Sequence, residues 1–284
     1  MPSRHADVPA RLVLLEASGH RSRIECADPE MRLVFAANFA AMARVDDGTE
    51  VDLGFRIERG EPQTAIAVIE AGQDPIWVSD PCEALFVVES GIKLALQHRR
   101  PDLFFLHAAT LAWNDAAFVF AAESGGGKST TAWALLHHGF GYLSDELCPI
   151  DLERLHAHAY PHALCLKHTQ APPYLLPDGA IDLGRTIHVP AQLLPGPVID
   201  EPRPIAALVL LEHGPDLAAP ELRRLGTAEA AARLYINALN ALAHPDRGLA
   251  AAIRLAECLP CYAVLSAGLP ATCALIRNEL QTAG

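Results

Sequence analysis

Apolar and polar positions along the chain change rhythm near residue 100. Before it, short alternating runs at 11–16 and 22–26 predict two strands. Asp28-Pro29-Glu30 then reads as N-cap, first-turn proline and first-turn acid of a helix through about residue 42. Val51, Leu53, Phe55 and Ile57 alternate with polar or small residues and predict a half-buried strand. Strands near 64–70 and 76–78 follow, and Asp80-Pro81 with Glu83 starts a second helix running to about residue 97.

Beyond residue 102 the apolar runs become longer. Runs at 103–113 and 117–121 flank Asn114-Asp115, a two-residue hairpin turn. A glycine-rich segment, a helix at about 130–138 and a strand near 142–144 come next, and residues 156–200 read as irregular strands and loops. The continuous apolar run 205–211 predicts a buried strand. Helices are expected at 227 to about 243, at 248–257 and from about residue 270, with a strand at 261–266. This pattern predicts an α/β protein with some α+β character: a small α/β domain over 1–100, for partner recognition or structural support, and a second domain over 101–284.

At 284 residues and 51% hydrophobic content the chain can bury a substantial core. Its formal net charge of −12 is shared by both halves, which argues against nucleic acid and anionic membranes as partners and suits a basic peptide better. No apolar run approaches the roughly 20 residues that span a bilayer, and 12–15 is too short an apolar stretch for a signal peptide. Seven cysteines, an odd number, fit a cytoplasmic protein with reduced thiols. Cys258 and Cys261 form a lone C-x-x-C and read as core thiols at a strand start. His156, His158, His162 and His168 match no zinc spacing and read as loop residues.

The chemistry concentrates in Ala122-Glu123-Ser124-Gly125-Gly126-Gly127-Lys128-Ser129-Thr130. This fits G-x-x-x-x-G-K-[ST] except at its first position, where Ala122 replaces glycine, and it has the strand before and helix after that the motif needs. Backbone N–H groups of Ser124 through Thr130 would cradle phosphate oxygens, helped by the helix dipole. Lys128 would reach the β- and γ-phosphates and the Ser129 hydroxyl would ligate Mg²⁺. Adjacent acids, Asp145 and Glu146, follow Lys128 by only 17 residues, one helix and one strand later. One can accept a proton from an attacking hydroxyl while the other holds the metal.

The stretch from His107 to Ile150 resembles the core of the HPr kinase/phosphorylase family and its related kinases, which share a phosphoenolpyruvate-carboxykinase-like P-loop fold. The matching parts are Leu106-His107-Ala108-Ala109, the Ser124-to-Ser129 loop, Leu143-Ser144-Asp145-Glu146, and Arg203-Pro204 before the buried strand. The resemblance implies an ATP- and Mg²⁺-dependent serine kinase with Lys128 on the phosphates, Ser129 and Glu146 on the metal, and Asp145 as general base. It puts His107 near Asp145 and the transferring phosphate, and makes Lys167 and Arg203 candidates for phosphate or acceptor contacts. Glu146 stands where the family commonly has aspartate, and the glycine- and asparagine-bearing signature of the bifunctional members is missing. Length and the stripped-down core look most like kinases that tailor ribosomally made lasso precursor peptides. A small-molecule kinase and a non-catalytic nucleotide sensor remain open readings, as does self-association into a homo-oligomer.

Overall fold

The computed structural model describes residues 12–60, 65–123, 125–214 and 217–280. Arg11, Thr64 and Ser124, which the sequence places in two strands and the glycine loop, lie outside these residues. The first sheet is built from β1 (Leu12–Ala17), β2 (His20–Cys26), β3 (Ala43–Arg44), β4 (Leu53–Arg59), β5 (Ile66–Glu70) and β6 (Ile76–Val78), in the order β3-β1-β2-β4-β5-β6. One face carries α1 (Pro29–Asn38) and α2 (Pro81–Arg99). Asp28 and Asp80 cap them as their sequence signatures predict: Asp28 accepts from the Glu30 and Met31 N–H groups, Asp80 from that of Glu83. Met31 and Phe35 of α1 and Leu85, Val88, Ile92 and Leu96 of α2 recur at helical spacing and pack on Ile24, Phe55, Ile57 and Val68. The same core takes in Phe105, Leu147 and Tyr160, so it continues without a break into the rest of the chain.

The helix predicted through residue 42 ends at Asn38. Phe39 and Met42 stay buried in a 3₁₀ turn, which extends the apolar rhythm past the helix, while the Asn38 carbonyl accepts the Ala163 N–H at 2.7 Å. A distant contact, invisible to local pattern, terminates the helix.

The second sheet is organised by one long strand, β7 (Leu103–Trp113). It forms the predicted hairpin with β8 (Ala116–Ala122), α3 (Lys128–Leu136) follows, and then β9 (Gly141–Ser144), β10 (Leu147–Asp151) and β11 (His156–Ala157). β9 pairs with the second half of β7 and β10 with its first half, so the turn between them, which holds Asp145 and Glu146, sits beside His107. β10 is a strand that the sequence reading missed. A small sheet of β12 (Leu164–Leu166), β13 (Ile181–Asp182) and β14 (Ile187–Val189) gives residues 156–200 their regular part. β15 (Arg203–His213) runs parallel to β8 and to β17 (Cys261–Ser266), with β16 (Glu221–Arg224) at the edge.

Helices cover both faces of this sheet. Ala117, Val119 and Ala121 of β8 face α4 (Thr227–Ile236) and α5 (Leu249–Cys258), whereas Phe118, Phe120 and Ala122 face α3 and α6 (Leu269–Leu280). That double burial is why β8 and β15 read as unbroken apolar runs rather than alternating ones. α4 stops at Ile236, short of the predicted 243, because the following asparagines serve β7 instead. The Asn237 carbonyl accepts the His107 N–H at 2.8 Å, and the Asn240 side chain bonds the Phe105 N–H and the Leu103 carbonyl at 2.9 and 2.8 Å. Cys261 is buried at a strand start as expected, but Cys258 is exposed at the end of α5. No described helix is long and apolar enough to cross a membrane.

Candidate functional site

β8 delivers the chain to a tight glycine turn, and the three glycines there have distinct reasons to be glycine. Gly125 and Gly127 have φ of +86° and +83°, a region costly for other residues. A Cβ on Gly126 would stand 3.0 Å from the Ala122 Cβ and 3.1 Å from the Glu123 carbonyl oxygen. Ala122, the departure from the motif, is the last residue of β8 and is absent from the positive-φ positions, so its side chain is tolerated without strain. Lys128, Ser129 and Thr130 form the first turn of α3, whose N-terminus has no side-chain cap. Among the described residues no side chain occupies its leading N–H groups, an arrangement that suits an anion.

The Lys128 ammonium donates to the Asp145 carbonyl oxygen at 3.0 Å, which ties the glycine turn to the acid pair. Burial lowers the Lys128 pKa, against the opposing pull of the Asp145 and Glu146 carboxylates. A half-buried ammonium that bonds one carbonyl oxygen among the described residues is poised for an anion. Asp145 is 1% exposed, with Oδ1 3.0 Å from the Tyr142 hydroxyl and Oδ2 3.0 Å from the Cys165 N–H that donates to it. Burial and the Asp145 charge push the Tyr142 phenol well up, so it stays a donor. Glu146 accepts from Lys93 of α2 at 2.9 Å. The His107 imidazole has its pKa lowered, first by burial and then by Lys128.

Lys128, Asp145, Glu146, His107 and Cys165 line one cavity of about 470 Å³. Gly125, Gly127, Lys128, Ser129 and Thr130 form one side, and His107, Asp145 and Glu146 the floor. Lys167 borders it from just past β12, and Leu85 and Phe86 of α2 supply an apolar wall. A cavity of about 590 Å³ meets it at Glu123 and Gly125 on the far side of the glycine turn, between Leu211 and Ile236.

Arg203 is not among these groups. It opens β15 and pairs with Glu201 at 3.3 Å, whereas the residue of β15 opposite Ala122 is Leu211. Eight residues of extended strand separate the two ends, roughly 25 Å. Arg203 therefore lies apart from the cavity that Lys128 and Asp145 line.

Sequence reading passed over several neighbours. Glu89 and Lys93 of α2 are charged residues four apart on a helix whose remaining inward positions are apolar, and that interruption is the signal they leave. His162, read as a loop histidine, is 1% exposed beside Asp145, Glu146 and Glu89. The other three histidines of its stretch do not join it in a cluster, and among the described residues no group of three or more His, Cys, Asp or Glu could hold a metal ion. A lone carboxylate with a hydroxyl, Glu146 and Ser129, is nonetheless a hard oxygen set of the kind that binds Mg²⁺ together with phosphate and water.

No protein-family model matches the chain, and no curated protein sequence matches it. Among solved structures, an Hpr(Ser) kinase/phosphatase from Coxiella burnetii is similar to it over 63% of this chain and 99% of its own, at 14% identity and a TM-score of 0.32. That score is too low to show that the two share a fold.

Proposed function

We propose that the protein is an ATP- and Mg²⁺-dependent phosphotransferase that moves the γ-phosphoryl group to a serine hydroxyl of a peptide or protein. The observation that carries this reading is the bond from Lys128 to the backbone of Asp145, which brings an uncapped helix N-terminus and a buried carboxylate to one cavity. The sequence resemblance supplies the acceptor class, a ribosomally made precursor peptide of the lasso type. The apolar wall of Leu85 and Phe86 suits a side chain flanking the acceptor serine.

In this reading the glycine-turn amides and Lys128 bind the phosphate chain and fix the γ-phosphoryl group. Asp145, its Oδ2 held by the Cys165 N–H and its Oδ1 near the shared Tyr142 hydroxyl, orients the acceptor hydroxyl and takes its proton. His107, neutral near pH 7, lines the floor as a hydrogen-bonding group toward the transferring phosphoryl. Ser129 and Glu146 would hold Mg²⁺, which supplies charge neutralisation on the phosphates. Residues 1–100 act as a domain that completes the acceptor side, and 101–284 as the catalytic domain.

The test is mass spectrometry of serine-bearing peptides incubated with the protein and Mg·ATP, beside equilibrium titration with ATP. A gain of one phosphate on a serine, lost in Asp145→Asn, supports the reading. ATP binding without transfer to any peptide or small hydroxyl compound contradicts it and favours a nucleotide sensor.

A further inference from the structure

The His162 ring is 1% exposed, and neither ring nitrogen has a hydrogen-bond partner among the described residues. Its surroundings are three carboxylates from separate parts of the chain. Nδ1 lies 3.8 Å from Glu89 Oε1, and Nε2 lies 3.5 Å from Asp145 Oδ1 and 3.9 Å from Glu146 Oε2. A buried imidazole in such a place is costly unless it serves its neighbours.

Behind it runs a line of polar groups, half-buried at Thr186 and buried at His188, Asn38 and Glu89. The Thr186 hydroxyl is 2.9 Å from His188 Nε2, and His188 Nδ1 is 2.9 Å from Asn38 Oδ1. Asn38 in turn donates to Glu89 Oε1 at 2.8 Å. Asn38 and Glu89 are 1% and 7% exposed, and they end α1 and sit mid-way along α2. The hydrogen-bonded line runs from Thr186 to Glu89, and the His162 ring lies between Glu89 and Asp145, 3.8 and 3.5 Å from them.

Asp145 needs such a neighbour. The Tyr142 hydroxyl lies 3.0 Å from Asp145 Oδ1 and also 3.0 Å from the His162 carbonyl oxygen, and one proton cannot serve both fully. The Cys165 N–H restrains only Oδ2. Without the imidazole the carboxylate could turn about its last bond.

We propose that His162, packed between Asp145 and the Glu89 carboxylate that Asn38 holds, is the positioning residue of Asp145, so that α1 and α2 set the orientation of the carboxylate. This rests on the phosphotransferase reading for its consequence, because a general base turned out of line loses its acceptor. It makes the first hundred residues part of the catalytic support, and not only a surface for partners.

The test uses the full chain with His162→Leu, His162→Gln and Glu89→Gln. Three quantities are measured: hydrogen exchange of the Cys165 amide, equilibrium binding of ATP, and slow hydrolysis of Mg·ATP with water as acceptor. In His162→Leu the Cys165 amide is expected to exchange about tenfold faster or more. Hydrolysis is expected to fall about 10²-fold, since small misplacements cost that much. The ATP dissociation constant should stay within about threefold. His162→Gln, which keeps a donor toward Asp145, should restore most of both losses, and Glu89→Gln should move them the same way by less. Unchanged Cys165 exchange in a folded His162→Leu, or equal effects of Leu and Gln, overturns the proposal. If His162→Leu does not fold, Cys165 exchange in Glu89→Gln decides. If wild type neither binds nor hydrolyses ATP, the phosphotransferase reading fails, while Cys165 exchange still judges the role of His162.

Discussion

Lys93 holds its ammonium 2.9 Å from the Glu146 carboxylate, across 53 residues of chain. It extends from α2, a helix that packs on the first sheet, to the turn that carries the acid pair. Burial alone would raise the Glu146 carboxyl, but Lys93, His162 and Lys128 overturn this and hold it at about 2. A folded value below the ordinary 4.5 means that Glu146 stabilises the fold above pH 4.5 and loses that contribution as pH falls toward about 2. Lys93→Met is therefore expected to lower stability at neutral pH by about 1 kcal/mol, a charged hydrogen bond discounted for the partial exposure of Glu146. The difference from wild type should shrink below pH 4.5. Urea unfolding at neutral pH and near pH 3 checks this, and a difference independent of pH would contradict the pairing.

Lys128→Ala should remove both ATP binding and transfer, because the cation that meets the phosphates is gone. Asp145→Asn should keep ATP affinity within about threefold and lower transfer by about 10²-fold or more. Calorimetric titration and turnover measured on the same preparations separate the two. Near wild-type transfer by Asp145→Asn would remove Asp145 from the role of base.

Ala122→Gly, which restores the consensus loop, should not improve ATP binding. The residue ends a strand and needs no left-handed backbone, so glycine there only adds freedom to the unfolded chain and costs about 0.5–1 kcal/mol. Gly127→Ala should behave oppositely, losing ATP affinity because its φ of +83° is strained for alanine by about 1–2 kcal/mol. Paired thermal melts and ATP titrations test both.

His107 and His188 have pKa values lowered below 6.5, in each case first by burial. The unfolded chain then binds more protons than the folded one between the lowered values and pH 6.5, so these residues favour folding above pH 6.5 and oppose it as pH falls. Histidine proton NMR should show both rings neutral at pH 7 and titrating only below 6.5. A ring that titrates above that value would contradict the burial described for it.

Much of the fold was legible because its signals are local. Asp28-Pro29 and Asp80-Pro81 start the two helices they predict, Asn114-Asp115 turns its hairpin, and the apolar run at 205–211 lies inside β15. The errors occur where a distant group takes over a local one. α1 ends where Ala163 bonds the Asn38 carbonyl, and α4 ends where Asn237 and Asn240 turn to serve β7. Cys258 ends exposed while its C-x-x-C partner is buried, a matter of where α5 meets the surface.

In the candidate site, sequence determined the parts whose chemistry depends on adjacent residues. A run of glycines before Lys128 and Ser129 dictates a turn with two left-handed residues, and paired acids after a short strand dictate a polar turn. Tertiary structure alone decided which of the scattered polar residues join them. Arg203 went to the far end of its strand, while Lys93 and His162 came to the acid pair from a helix and a loop, with Glu89 and Asn38 behind His162. The physical reason is that a buried charge must find partners wherever packing brings them, and packing follows the apolar faces of α1 and α2 rather than the spacing of the charges they carry.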